Sequence, residues 1–361
     1  MLVRFPARGP CPAGSELKMG EIDLRSDTVT LPTADMLRAM TSAPLGDDVF
    51  RDDPTVNRLE ETAAERMGKE AALFVASGTM GNLLGLLVSA RHGQEVIADA
   101  NSHVFLNEAA GAATVGGIQV RQVPTERGVL SPAQVLAALR PTDDVHQPLS
   151  AAVMIENTHN WHGGVTWSLE ELQRIFETTR SNGLAVHLDG ARIFNAAVAI
   201  GADVRAIAQY ADTVSFCLSK GLCCPVGSIV CGPAEKIGAA RRWRKMLGGG
   251  MRQAGVLAAA GLVALETMVD RLADDHRSAR SLAEGLAEVD GIECDLSRVE
   301  TNIVYFRLKN MDAASFVTAC SDQGLRGGAY GSDLIRFVTH HGITPADVGK
   351  ALVICREALR G

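Results

Sequence analysis

The sequence predicts an α/β protein with a mainly parallel sheet covered by helices on both faces. From residue 57 onward, short apolar runs typical of buried strands alternate with segments that have helical spacing. Two of these runs end in or just before a charged residue, Asp189 and Lys220. Such alternation is typical of parallel sheets, in which ligands bind beyond the carboxyl ends of the strands.

The elements of the larger predicted domain follow in chain order. A helix near 57–67 precedes a strand at 71–76, and a second helix starts after Thr79. Further strands are predicted at 95–98, 118–122, 152–156, 184–188 and 213–218. The clearest helix is 168–180, because Ser168 and Glu171 form a capping box ahead of an apolar face. The apolar run 254–265 predicts a buried helix that is too short to span a bilayer.

A smaller α+β domain is predicted to begin near residue 270. Its elements are a charged amphipathic helix at 268–287, a strand at 301–306, a helix at 313–323, a strand at 334–338 and a closing helix from 345. We therefore expect a large domain at 21–270, including an N-terminal arm, and a small domain at 271–361. Residues 1–20 lack an apolar stretch of signal-peptide length and are expected to form a poorly ordered leader.

The composition of the chain argues against some classes of binding partner. The chain has 361 residues, 47% of them hydrophobic, which is enough for a sizeable core. Its net charge of -7 and the lack of a basic stripe with aromatics argue against a nucleic-acid partner. Eight cysteines without a CxxC pair fit reduced thiols in a cytoplasmic protein.

No metal site is predicted from spacing alone. The pair His159-x-x-His162 and the dipeptide His340-His341 are the candidates, and neither has a third ligand at a suitable spacing.

The order of Asp189 and Lys220 indicates a cofactor. Asp189 ends one apolar run, and Lys220 follows the next run in the sequence Ser-Lys-Gly. A lysine can bond to the aldehyde of pyridoxal phosphate, and a carboxylate can keep the pyridine nitrogen protonated. This pair therefore predicts a pyridoxal-phosphate site at the edge of the sheet.

A turn upstream of this pair is suited to the cofactor phosphate. The strand at 71–76 runs into Ser77, Gly78 and Thr79, where a helix begins. The first amides of a helix have no partner within it, and the helix dipole favours an anion there. Gly78 permits close backbone approach and Thr79 adds a hydroxyl, so we predict that this turn binds the phosphate.

These motifs resemble the low-specificity type of L-threonine aldolase, a family of pyridoxal-phosphate enzymes with the aspartate-aminotransferase-like fold (PLP fold type I). The resemblance runs from about residue 22 to the C-terminus, and is carried by blocks at 23–30, 46–50, 53–57, 77–82, 156–160, 189–195, 218–221 and 248–253. It implies cleavage of L-threonine, L-allo-threonine and related β-hydroxy amino acids to glycine and an aldehyde. It also implies a homotetramer built as a dimer of dimers.

The resemblance implies roles for further residues. His103 is expected to stack on the cofactor ring. His159 is the expected partner of the substrate hydroxyl, either as the base or by orienting a water. Arg192 and Arg336 match the family's clamp for the substrate carboxylate, and Ser26 matches a hydroxyl contributor.

Two loop residues are expected to reach a neighbouring subunit, and two positions depart from the family. Arg252 resembles a phosphate contact lent by the neighbour. Phe50 lies in a loop that reaches the neighbouring site, where the family often has tyrosine. Asn107 stands where many members are aromatic. Both departures bear on the choice of substrate.

Three functional interpretations stay open at this level. The first is the threonine aldolase. The second is a β-eliminating lyase or an aldolase that prefers aromatic substrates, since fold and Lys/Asp pair do not distinguish these. The third is a protein that holds the cofactor without activity, and Lys220, Asp189 and the predicted substrate residues argue against it.

Overall fold

The computed structural model describes residues 20–360, which form two compact units. The larger unit spans residues 31–270, and the smaller one combines residues 20–30 with residues 271–360. The predicted leader lies outside the described residues, apart from Gly20.

The elements are numbered in chain order across both units. The strands are β1 (Ile22–Asp23), β2 (Ala71–Val75), β3 (Glu95–Asp99), β4 (Gln119–Val123), β5 (Ser150–Glu156), β6 (Ala185–Asp189), β7 (Thr213–Cys217), β8 (Ser228–Gly232), β9 (Ile292–Glu293), β10 (Ile303–Leu308), β11 (Leu325–Arg326), β12 (Gly328–Ala329) and β13 (Leu334–Val338). The helices are α1 (Ala34–Ser42), α2 (Pro54–Met67), α3 (Gly78–Leu87), α4 (His103–Leu106), α5 (Gly111–Thr114), α6 (Pro132–Ala138), α7 (Leu169–Ser181), α8 (Ile193–Ile200), α9 (Val204–Ala208), α10 (Ala234–Met246), α11 (Gly255–Thr267), α12 (Leu272–Ala287), α13 (Ala313–Asp322) and α14 (Pro345–Ala358). Short 3-10 helices lie at Asp27–Val29 and Leu296–Arg298.

The larger unit is built on a seven-stranded sheet in the order β2-β8-β7-β6-β5-β3-β4. The strands from β7 to β4 are parallel neighbours, whereas β8 runs antiparallel to both β7 and β2. Every residue of β3, β7 and β8 is buried, as expected for strands covered on both faces. The predicted α/β class with a mainly parallel sheet is confirmed.

Strand β8 was not predicted from the sequence. It is a run of five residues between Gly227 and Pro233. Its only signal in the sequence is the three consecutive apolar residues Ile229-Val230-Cys231. Strand β8 forms hydrogen bonds to both β2 and β7. It therefore lies between the strand that precedes the Ser77 turn and the strand that precedes Lys220. A run this short lacks the length to be assigned by periodicity alone.

Local signals explain where two helices of this unit begin. Helix α2 starts at Pro54, because the Asp53 carboxylate accepts hydrogen bonds from the Thr55 and Val56 amides and proline suits the first helical position. Helix α7 follows Ser168, whose hydroxyl and amide both exchange hydrogen bonds with Glu171. The predicted capping box is present.

The smaller unit has a four-stranded antiparallel sheet in the order β12-β13-β10-β9 and a parallel pair formed by β1 and β11. Residues 21–30 are predicted to belong to the large domain, whereas the structure places them here. Ile22 and Leu24 supply the reason, since both are buried in the core formed by α12, α13, α14 and this unit's strands. Apolar burial therefore ties the N-terminal strand to the C-terminal unit.

Between residues 20 and 360, no helix combines the length and apolar character needed to cross a membrane. The seven cysteines of the same range form no disulfide bond with one another, and six of them are buried.

Candidate active site

Helix α3 presents its N-terminus where β2 ends. The Ser77 hydroxyl accepts a hydrogen bond from the Met80 amide at 3.2 Å and so caps the helix. A Cβ at Gly78 would lie 2.8 Å from the Cys217 sulfur, so the backbone approaches the end of β7 more closely than any side chain would allow. Thr79 is exposed at this turn. The turn has the free amides and the space that an anion needs.

Asp189 ends β6 with its carboxylate almost fully buried. Its Oδ1 accepts a hydrogen bond from the Ala191 amide at 3.0 Å, and its Oδ2 accepts one from the Asn82 side chain at 2.8 Å. The neighbouring parallel strand β7 ends at Cys217, and the half-buried Lys220 follows three residues later. The predicted carboxylate and lysine therefore follow adjacent strands at the same edge of the sheet.

Asn82 joins four polar groups inside the larger unit. Its amide nitrogen donates to Asp189 and, at 2.7 Å, to Glu108 Oε1. Its amide oxygen accepts from the Ser215 hydroxyl at 2.6 Å and lies 3.4 Å from His187 Nε2. All donor and acceptor positions of this buried amide are thus used. We call Asn82, Asp189, Glu108, Ser215 and His187 the Asn82 network.

Most of this network was not predicted from the sequence. Asn82, Glu108, Ser215 and His187 were given no role, because their contacts join residues up to 133 positions apart. One signal was available: His187 and Ser215 are polar residues inside apolar strands. Buried polar groups need hydrogen-bond partners, so such residues indicate that a hydrogen-bond network is present but do not identify its other members.

His103 lies beside the Asn82 network. Its Nδ1 lies 2.7 Å from Glu108 Oε1, and single ligand atoms of His103, Glu108 and Asp189 all lie within 4.8 Å of one another. Burial disfavours the charged imidazole, but the hydrogen bond to Glu108 and the charges of Asp189 and Glu156 outweigh it and raise the pKa of His103. Burial also raises the pKa of the Glu108 carboxyl.

His159 follows β5 and is fully buried. Its Nε2 lies 3.2 Å from Asp99 Oδ1 and 3.9 Å from Glu156 Oε2. Glu156 also accepts the backbone N–H of His103 at 2.8 Å, so one carboxylate connects the surroundings of both histidines. Burial opposes the charge on His159, yet Glu156 and Asp99 raise its pKa. Its predicted contact with the substrate hydroxyl stays a prediction, and the enclosure of its ring favours a positioning role.

The predicted carboxylate clamp falls in two different units. Arg192 precedes α8 in the larger unit, is 5% exposed, and donates from Nη1 to Asn160 Oδ1 at 3.3 Å. Arg336 lies on β13 of the smaller unit, donates to the Arg25 carbonyl at 3.1 Å, and places its guanidinium 4.4 Å from the centre of the Tyr330 ring.

Ser26 lies in the smaller unit and directly follows Arg25, whose carbonyl accepts the hydrogen bond from Arg336. Its hydroxyl accepts a hydrogen bond from the Thr28 amide at 3.2 Å and caps the first 3-10 helix. The structure thus brings Ser26 and Arg336 to the same part of that unit. Their roles toward substrate stay predictions.

The two residues predicted to reach a neighbouring subunit lie together on the surface of the larger unit. The Phe50 side chain is 72% exposed. Arg252 donates from Nη1 to Asp47 Oδ2 at 3.0 Å, and its carbonyl accepts from the Asp48 amide at 3.0 Å. Asn107, the other departure from the family pattern, is exposed just after α4.

Comparison with known proteins identifies the family of the chain. A family model described as beta-eliminating lyase matches residues 23–309. A probable low-specificity L-threonine aldolase 2 of Arabidopsis thaliana is 45% identical over 333 residues, covering 91% of this chain and 94% of that protein. The low specificity L-threonine aldolase of Escherichia coli (strain K12) is 45% identical over 319 residues, covering 88% of this chain and 93% of that protein.

A solved structure supports the fold. The threonine aldolase of Leishmania major superposes with a TM-score of 0.80 at 20% identity, covering 93% of this chain and 98% of that chain. The chain therefore belongs to the beta-eliminating lyase family and, within it, to the low-specificity L-threonine aldolases.

Proposed function

We propose that this chain is a pyridoxal-phosphate-dependent aldolase that cleaves L-threonine, L-allo-threonine and related β-hydroxy amino acids to glycine and an aldehyde. The observation that carries the proposal is the placement of Asp189. Its buried carboxylate is fixed by Asn82 and by a backbone amide, on the strand next to the one that leads to Lys220. The similarity to proteins named low-specificity L-threonine aldolases supports the choice of reaction.

The residues present fit pyridoxal phosphate. The α3 N-terminus offers amides and the Ser77 and Thr79 hydroxyls to a phosphate. The buried Ser228 hydroxyl, 3.7 Å from the position of a Cβ on Gly78, has no hydrogen-bond partner among residues 20–360. Buried hydroxyls are rarely left without a partner, so this one is consistent with a ligand at the turn.

The chemistry divides between the cofactor and the chain. Pyridoxal phosphate would supply an electron sink for the pair of the breaking Cα–Cβ bond. Lys220 would hold the cofactor aldehyde, and Asp189 would keep a proton on the ring nitrogen. Asn82 positions that carboxylate. His103, next to Asp189 and positively charged over a wider pH range than an ordinary histidine, would lie against the ring.

The substrate needs a cation for its carboxylate and a proton acceptor for its hydroxyl. We infer that Arg192 supplies the cation in the larger unit, because a guanidinium can bind both carboxylate oxygens. The hydroxyl proton would pass to a water or side chain oriented by His159, which Asp99 and Glu156 hold in place. The aldehyde then departs and glycine remains.

The products identify the reaction. The purified holoenzyme is incubated with L-threonine, and glycine, acetaldehyde and 2-oxobutanoate are quantified. We expect equimolar glycine and acetaldehyde, whereas 2-oxobutanoate would mean elimination and would contradict the proposal. Lys220→Ala should abolish the reaction, and Lys309→Ala, which removes an exposed lysine, should leave it intact.

Trapping locates the cofactor. After borohydride reduction, peptide mapping should place the pyridoxyl group on Lys220. A label on Lys245 or another lysine would overturn the assignment of Lys220.

We also propose that the active unit is a homotetramer, a dimer of dimers, with composite sites. Exposed apolar side chains support an interface on the larger unit, since Leu31, Phe50 and Met246 are each more than 70% exposed. Mixing Lys220→Ala subunits with Arg252→Ala subunits should restore part of the activity, because a hybrid contains one intact composite site. An active monomer in sedimentation would rule this out.

A further inference from the structure

A second cluster of polar side chains lies between β3 and the loop after β5. Asp99 ends β3, and His159 and His162 belong to that loop. One ligand atom from each of the three residues lies within 4.8 Å of the other two. The sequence contains the two histidines as a pair without a third ligand nearby. The fold supplies the third ligand from 60 residues upstream.

Two of the distances are close to those between the ligands of one metal ion. His159 Nε2 lies 3.2 Å and His162 Nε2 lies 3.7 Å from the same oxygen, Asp99 Oδ1. Ligand atoms about 2.0–2.2 Å from a tetrahedral ion are separated from one another by about 3.3–3.6 Å. The two imidazole rings meet edge to face with centres 4.8 Å apart, so they do not stack against each other. A cation could contact all three atoms with small side-chain adjustments.

The two Nε2 atoms that belong to the cluster make no hydrogen bond. This holds for the fully buried His159 and for His162 toward every residue in the range 20–360. The 3.2 Å contact of His159 with Asp99 has the length of an ion pair without the angles of a hydrogen bond. Since buried polar atoms are nearly always paired, these nitrogens indicate a missing ligand.

Outer contacts hold the ligands in place. The Thr125 hydroxyl donates to Asp99 Oδ2 at 2.7 Å, and the Asn101 amide donates to Asp99 Oδ1 at 2.8 Å. Gly128 leaves room for the His159 ring, because a Cβ there would lie 2.3 Å from His159 Cδ2. Contacts of this kind orient the side chains that bind the ion in metal sites.

We propose that Asp99 Oδ1, His159 Nε2 and His162 Nε2 bind one divalent transition-metal ion of the Zn²⁺ class. Two imidazoles and a carboxylate are a ligand set that zinc accepts, with the fourth position left to water. His162, 10% exposed, gives the site an opening toward solvent. The site goes beyond the proposed aldolase chemistry. An ion there would fix the His159 ring through Nε2 and leave Nδ1 for the orienting role proposed above.

Metal binding to the holoenzyme tests the site. The tag-free protein is dialysed against a chelator, and Zn²⁺ binding is measured by calorimetry and elemental analysis. We expect one Zn²⁺ per chain, and a Co²⁺ derivative with the visible bands of tetrahedral nitrogen and oxygen ligation. Thiolate-to-cobalt charge transfer instead would place the ion on cysteines and would overturn the proposal.

Variants separate the site from surface binding. His162→Asn should weaken Zn²⁺ binding by about tenfold or more, and Thr125→Val, which removes only the outer contact, by about tenfold. His146→Asn is the matched control, since His146 is 87% exposed and lies 2.9 Å from Asp144 without a second histidine. Equal affinity in wild type and His162→Asn would overturn the proposal. His162 lies in a loop and asparagine keeps a polar side chain there, so this variant should fold, and cofactor absorbance checks that it does.

Discussion

Two histidines of the larger unit, His187 and His159, are fully buried, yet their surroundings favour opposite protonation states. His187 lies in β6 between the Thr213 hydroxyl and the Asn82 amide, and burial lowers its pKa to about 4. His159 lies between the carboxylates of Asp99 and Glu156, which raise its pKa despite burial. The depth of burial alone therefore does not determine the charge of a histidine. The nearest polar and charged side chains determine it.

The two regions around these histidines also differ in how completely their polar groups are paired. In the Asn82 network, every position of the amide is used. Around His159, ring nitrogens lack hydrogen bonds within the described residues. A fully satisfied network fixes one arrangement, which suits a carboxylate that we propose keeps a cofactor ring nitrogen protonated. An incompletely satisfied one is suited to receive a ligand.

The largest expected effect comes from removing the centre of the Asn82 network. Asn82→Ala leaves Asp189, Glu108 and the Ser215 hydroxyl without their shared partner in a buried site. The unfolding free energy should fall by about 3–5 kcal/mol, since each buried unsatisfied group costs about 1–3 kcal/mol. Urea unfolding of the holoenzyme measures this change, and cofactor absorbance should weaken with it.

Asn182→Ala is the matched control. That asparagine is exposed and its side chain donates to the Thr178 carbonyl, so the loss of this side chain should cost less than about 0.5 kcal/mol. Similar losses in the two variants would show that the network does not stabilise the fold.

The second effect is a contrast in pH dependence. Because the folded pKa of His187 is depressed, its neutral form contributes stability above the unfolded pKa of 6.5, and this stability is lost as the pH falls toward 4. The loss should be about 2 kcal/mol between pH 7 and pH 5. His187→Gln should remove that component from the unfolding free energy measured across this range.

In the metal-free protein, His159 should show the opposite sign. Its pKa is raised in the folded state, so its contribution is fully present below pH 6.5 and is lost as the pH rises through the folded pKa. His159→Gln should therefore flatten the decline on the alkaline side and leave the acid side unchanged. The same pH response in both variants would contradict the opposite protonation states.

The sequence was sufficient for residues that follow strands and insufficient for residues that connect them. Asp189, Lys220 and the Ser77 turn could be located because apolar runs mark buried strands and their ends meet at one edge. Asn82 and Glu108 could not, because their partners depend on which strands are neighbours and on side-chain direction. Strand β8 and the placement of β1 could not be predicted for the same reason. Both strands are short, and their positions are determined by the strands with which they pair.

The smallest effect concerns the space that the His187 ring requires. A Cβ added to Gly85, within α3, would lie 2.1 Å from His187 Cε1, so the ring must move and lose its contacts with Thr213 and Asn82. Gly85→Ala should cost about 1–3 kcal/mol, the range for overpacking a well-packed interior. Gly238→Ala, in α10 with nothing within 4 Å of the new Cβ, is the matched control and should stabilise the protein by up to about 1 kcal/mol through helix propensity. Thermal unfolding of the two variants should therefore shift in opposite directions, and a stabilised Gly85→Ala would mean that the ring is not confined as the structure shows.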